Sequence, residues 1–161
     1  MAASGIKQVF KSSLTANDSS AQEELGVLRF EADGKVYRYV RAEDQAIAIG
    51  EVVYPGSADP DDWEVTTDYA GGSATSKKVA GVAIGTITDA YYGWVQVSGN
   101  SDMVRTDAGV VAADALIGHT VDGEADTMAA GEEHLVFGFA LAADTTIESQ
   151  DACVAQLVGM L

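Results

Sequence analysis

Short runs of β-branched and aromatic residues, each cut off after a few positions by glycine or a polar turn, limit how this chain can fold more than any other feature. Seventeen glycines and only two prolines accompany them in 161 residues. That pattern leaves little room for long helices and predicts strands joined by tight turns. The expected class is all-β, a compact small β-barrel or β-sandwich with an extended N-terminal arm and long loops. A chain of this length hides roughly two-thirds of its unfolded surface on folding, enough for one core. A single β domain is therefore expected over residues 26–161, preceded by an arm or leader over 1–25. The stretch from Ser12 to Ser20 is too polar to build a core, and Ser20 with Glu23 matches a capping box only weakly.

The clearest local signal is Asp33-Gly34 between Val27–Ala32 and Lys35–Val40, a hairpin. A two-residue loop there pairs Phe30 with Tyr37 and Leu28 with Tyr39, and sets Leu28, Phe30, Tyr37 and Tyr39 on one face. The same register puts Arg29 directly opposite Arg38. Two like charges in register either splay into water or wait for an acidic partner. Further strands are expected at Ala46–Tyr54, Val79–Ile87, Tyr92–Ser98, Leu116–Val121, Leu135–Leu141 and Cys153–Val158. Leu135, Phe137, Phe139 and Leu141 alternate with smaller residues, so the large groups are expected to face the core. The intervening segments Pro55–Ser76 and Gly99–Asp114 read as long loops, either interaction sites or tolerated insertions.

Charge is distributed unevenly. Six basic side chains stand against five acidic ones in residues 1–41, whereas residues 42–161 hold three against twenty, for a total of −16. An acidic body repels nucleic acid and anionic membrane, so neither is an expected partner. The basic N-terminal quarter, with Lys7, Lys11, Arg29, Arg38 and Arg41, is the expected docking side, and the acidic remainder the outward side. No run approaches the roughly 20 apolar residues of a membrane-spanning helix, the first residues lack the apolar core of an export signal, and the single Cys153 makes no internal disulfide. A soluble chain held by packing or assembly follows.

Motifs for chemistry are missing. Val97-Ser98-Gly99-Asn100-Ser101 lacks the spacing of a nucleophile elbow, and Gly71–Lys77 lacks the glycine before lysine, and the following helix, of a phosphate loop. His119 and His134 have no ligand-spaced partner. Asp59-Pro60-Asp61-Asp62-Trp63-Glu64 is the densest carboxylate cluster, open to calcium or simply exposed, but its spacing is not that of an EF-hand. Ile49-Gly50-Glu51-Val52-Val53 has the flavour of a biotinyl or lipoyl carrier, yet Ser76-Lys77-Lys78-Val79 is not a carrier-lysine hairpin. No catalytic residue, metal or cofactor is assigned, and no enzyme is expected. Trp63, an aromatic in an acidic loop, and Trp94, which shares a strand face with Tyr92 and Gln96, are the candidate aromatic contacts. For Trp94, packing within the domain is the alternative.

Three segments in order, Ala46-Ile47-Ala48-Ile49-Gly50-Glu51-Val52-Val53-Tyr54, then Val79-Ala80-Gly81-Val82-Ala83-Ile84-Gly85, then Tyr92-Gly93-Trp94-Val95-Gln96-Val97-Ser98-Gly99, resemble small cement and decoration proteins of tailed-bacteriophage capsids. The resemblance spans about residues 35–141 and closes on Phe137-Gly138-Phe139-Ala140-Leu141-Ala142. It implies a structural virion protein, made in the host cytoplasm and often a homotrimer. Its implied place is the outer capsid surface, where it binds the major capsid protein and cements the head. The Asp-rich loop at 58–64 and the leader over 1–25 depart from that pattern, leaving arm and loops as alternative capsid contacts. Rival readings are another virion component, such as a head fibre or a receptor- or glycan-binding module using Trp63 or Trp94, and a small β-barrel hydrolase.

Overall fold

The computed structural model describes residues 9–56, 62–69, 78–106, 112–121, 123–127, 136–142 and 152–157. The expected strand at 153–158 and the loop at 99–114 are thus partly covered, and Lys7, Lys77, Asp59, Asp61 and His134 lie outside the described residues. The fold is all-β, with no helix among the described residues. The described residues form ten strands, in order β1 Leu28–Phe30, β2 Val36–Ala42, β3 Val52–Pro55, β4 Glu64–Thr66, β5 Gly81–Ala83, β6 Tyr92–Arg105, β7 Leu116–Val121, β8 Glu124–Thr127, β9 Val136–Ala140 and β10 Ala152–Leu157.

Five of these strands pair in a closed ring. β2 pairs with β4 in parallel, β4 with β3, β3 with β5, β5 with β6, and β6 returns to β2. Strict alternation explains what fills it. Along β6, Val95 and Val97 point into the ring with Val40, Ala42, Ile47, Val53, Val65, Ala83 and Ile87, while Trp94 points out of it. The outward residues Val52, Tyr54 and Val82 of β3 and β5 form a second cluster with Val104, Ile117, Ala125 and Phe137. Those last four belong to a second sheet, β6-β10-β9-β7-β8, which β6 enters with its far half. β6 serves both layers because it is fourteen residues long and carries an extra residue opposite the Val36–Tyr37 step of β2, a bulge that bends a strand. The expected loop at Gly99–Asp114 is therefore strand as far as Arg105, and β4 stands inside the expected loop at Pro55–Ser76.

The third cluster lies on the outer face of β2 and β6. Tyr37, Tyr39 and Trp94 are covered there by Phe10, Leu14, Leu25 and Val27. The stretch expected to be too polar for a core thus contributes to one, because Leu14 supplies the apolar contact while its polar neighbours tie down the backbone. Ser12 donates its hydroxyl to Asp18 at 2.6 Å, Asn17 and Thr88 exchange two hydrogen bonds, and Asp18 pairs with Tyr92.

The hairpin exists, but its register is shifted by one residue. Arg29 pairs with Tyr37, Leu28 with Arg38 and Phe30 with Val36. The cause is the turn. Gly34 N–H donates to the Glu31 carbonyl at 3.1 Å, Glu31 N–H donates to the Lys35 carbonyl at 3.0 Å, and Gly34 has φ +86°. This is a three-residue loop, Ala32-Asp33-Gly34, closed by a left-handed glycine. A slip of one residue exchanges faces. Phe30, expected in the core, is 68% exposed, and the expected Arg29–Arg38 pair does not exist. In β9 the expected alternation also fails in part. Phe137 and Ala140 are buried together and Leu141 is exposed, since the pairing with β7 slips between Ile117 and Gly118.

Candidate docking surface

With the true register, the cations of the N-terminal quarter are built into separate environments. Arg29 shares the Tyr37 side of the ribbon. Its guanidinium lies 5.1 Å from the Phe10 ring centroid and 5.9 Å from that of Trp94. Its Nε donates to Glu31 Oε1 at 2.6 Å and a terminal nitrogen donates to the Ser12 carbonyl. Glu31 is two positions on along the chain, so an extended backbone brings both side chains to one face. Arg41 meets Glu64, its register partner on the parallel strand β4. Lys35 donates to Asp102 at 3.0 Å, and its ammonium is held above its ordinary pKa first by that hydrogen bond. Lys11 is exposed, and its backbone N–H donates to Glu23.

Arg38 is on the opposite side of the ribbon from Arg29, so the two do not come together. Its guanidinium carbon sits 4.2 Å from the Trp63 ring centroid, a cation–π contact. Nε is buried and has no hydrogen-bond partner, and burial lowers the guanidinium pKa from its ordinary value. Trp63 reaches this place by an unusual backbone, φ +51°. Its indole lies against Gly26, where a Cβ would stand 2.1 Å from the ring nitrogen and where φ is +79°. Only glycine accommodates both. The sequence carried no sign of the Gly26–Trp63 contact, because 37 positions separate the two residues.

Trp94, the other aromatic candidate, is 1% exposed within the chain itself. It packs edge-on to Phe10 at 5.3 Å and to Tyr39 at 5.1 Å, and its Nε1 is buried without a hydrogen-bond partner. Its surroundings are intradomain. Of the acidic cluster, Asp62 is exposed and Glu64 is engaged by Arg41. A groove of about 310 Å³ opens beside this face, lined by Leu14, Tyr37, Ile49, Ile84 and Met103 with the Lys35–Asp102 pair at its rim. Gln96 also borders it, but its amide donates to the carbonyls of Ser98 and Asn100. Lys35, Asp102, Gln96 and Ser101 along the groove are thus each already engaged within the chain.

No protein-family model matches the chain, and no curated protein does. Among solved structures, the fold is similar to that of the head fibre gp8.5 N base of bacteriophage phi29, with a TM-score of 0.54 and 14% identity. The match covers 77% of this chain and 94% of that one, and at this identity it is a likeness of fold.

Proposed function

We propose that the chain is a non-enzymatic structural component of a phage head, carried on the outside of the capsid and bound to the major capsid protein. The observation that carries this reading is the fold, which matches nearly the whole of a phage head-fibre base. The three ordered segments ending at Tyr92–Gly99 support it independently, because they came from sequence and not from shape. In the cement form of the proposal, trimers bridge neighbouring capsomers across the lattice. Each contact is modest, and multivalency with mass action toward the assembled state makes attachment durable.

A second form is favoured by the same structural match: the chain is the base of a head fibre, mounting a longer appendage. Copy counting by mass spectrometry on purified virions, with cryo-electron microscopy of the heads, separates the two. Occupancy across the whole lattice supports cement. A few copies at defined positions support a fibre base, and absence from the virion overturns both.

A further inference from the structure

Three of the four arginines in this chain each meet a glutamate: Arg29 with Glu31, Arg41 with Glu64 and Arg105 with Glu51. Arg38 meets no carboxylate among the described residues, although the chain holds 25 acidic side chains. It is not a freely solvated cation either. Its Nε is buried and unpartnered, its guanidinium rests over Trp63, and the side chain is only partly open to solvent.

We propose that the Arg38 guanidinium, mounted on Trp63, is the landing point for a carboxylate side chain presented by the head surface. This rests on the function proposed above.

The argument is one of charge and geometry. A partly desolvated guanidinium without a counter-charge is costly, and a carboxylate arriving from outside removes that cost while forming charge-assisted hydrogen bonds. A guanidinium carries its N–H donors in its own plane, the fork that receives a carboxylate in bidentate fashion, and a ring against one face leaves that fork available. The aromatic platform limits the rotamers of Arg38, so little side-chain freedom is lost on contact. Charge complementarity favours a protein carboxylate as the occupant. A net −16 chain is repelled by acidic surfaces, so a carboxylate on such a surface is received best by a local cation that the chain's own acids have left unclaimed. The three Glu-matched arginines lack that property, which leaves Arg38 as the unclaimed arginine, and unlike the exposed Lys11 it is held in place by an aromatic ring. Gly26 makes the arrangement possible, since any side chain there would displace the indole.

The test uses full-length protein and heads of the same virus stripped of it, with occupancy titrated by sedimentation. Arg38→Met keeps an apolar cover on Trp63 and removes the charge. It is expected to weaken binding about thirtyfold or more, the effect of truncating one side of a desolvated charge pair. Its melting temperature should stay at the wild-type value, and the salt dependence of binding should flatten. Arg29→Met, which removes an arginine already matched by Glu31, should retain wild-type occupancy. Arg38→Met binding as tightly as wild type overturns the proposal, as does equal weakening by Arg29→Met, which would mean general charge and not a site. Weakening of Arg38→Met that tracks a fall in melting temperature also overturns it, since Arg38 would then act only by packing Trp63. Failure of the wild-type protein itself to bind stripped heads overturns the capsid-binding function and the inference with it.

Discussion

The phenol of Tyr39 donates a hydrogen bond to Asp18 Oδ2 at 3.1 Å, tying the outer face of the ring to the N-terminal segment that covers it. Ser12 donates to the same oxygen at 2.6 Å, and the backbone N–H of Gln22 donates to the phenol oxygen at 3.2 Å. Tyr39→Phe removes one donor to a charged acceptor and should cost about 1.5–3 kcal/mol in urea denaturation. Burial pushes the Tyr39 pKa from 10.0 up to about 12, so the folded state favours the neutral phenol. That contribution is complete below pH 10 and is lost as pH rises toward 12. Stability of the wild-type chain should therefore fall across this window, and Tyr39→Phe should show a shallower decline.

The same segment shields Trp94. Phe10, Leu14 and Leu25 pack on the Tyr37–Tyr39–Trp94 cluster, so deletion of residues 1–25 should expose the indole, shift its fluorescence to the red and destabilise the ring. Trp94→Ala should cost about 3–5 kcal/mol, the usual penalty for emptying a large aromatic site. An unchanged denaturation midpoint in the deletion variant would mean that the segment is not part of the core.

Arg105 and Glu51 join the second sheet to the ring. Their side chains are 11% and 17% exposed, and Glu51 also accepts from the Ala48 N–H at 2.7 Å. Removing one partner strands the other in a poorly solvated place. Arg105→Met alone should cost about 2–4 kcal/mol, reduced somewhat by the residual exposure, whereas Arg105→Met with Glu51→Gln should recover much of that loss. A double-mutant cycle in guanidinium chloride reads the coupling.

Gly26→Ala places a methyl group into the Trp63 indole and forces a left-handed backbone on alanine. A loss of at least about 2 kcal/mol is expected. Near-ultraviolet circular dichroism should change with it as Trp63 is displaced. Gly34→Ala has the same backbone problem but open space around it, and should cost only about 1 kcal/mol.

Glu43 gives a prediction of opposite sign. Burial raises its carboxyl pKa, and the neighbouring carboxylates Glu64 and Asp44 push it the same way. One of its oxygens is buried without a hydrogen-bond partner. A raised carboxyl favours the folded state below its ordinary value of 4.5 and loses that contribution as pH rises through the folded value. At pH 7 the charge therefore opposes folding. Glu43→Gln should raise the melting temperature at pH 7, with the advantage shrinking toward pH 4.

Local pattern in the sequence was enough to settle the class and much of the core. Glycine-punctuated β-branched runs specify strands, and the alternation Gly93, Val95, Val97 against Tyr92, Trp94, Gln96 specifies which side of β6 fills the ring, because side-chain direction along a strand has a period of two. Pairing lies beyond that pattern. Asp33-Gly34 announced a hairpin, but whether glycine takes the second place of a two-residue loop or the last of three is decided by how Leu28 and Val36 pack on the ring. One residue of register then sent Arg29 to Phe10 and Trp94, and Arg38 to Trp63. The short strand β4 was hidden for a similar reason: three residues carry too little periodicity to be read, and parallel pairing with β2 makes them a strand. The sequence by itself determined an acidic, all-β chain without a recognised catalytic motif. Only the tertiary structure decided which arginine is left without a counter-charge among the described residues, since that depends on contacts between residues such as Gly26, Arg38 and Trp63 that are distant in sequence and meet only when the ring closes.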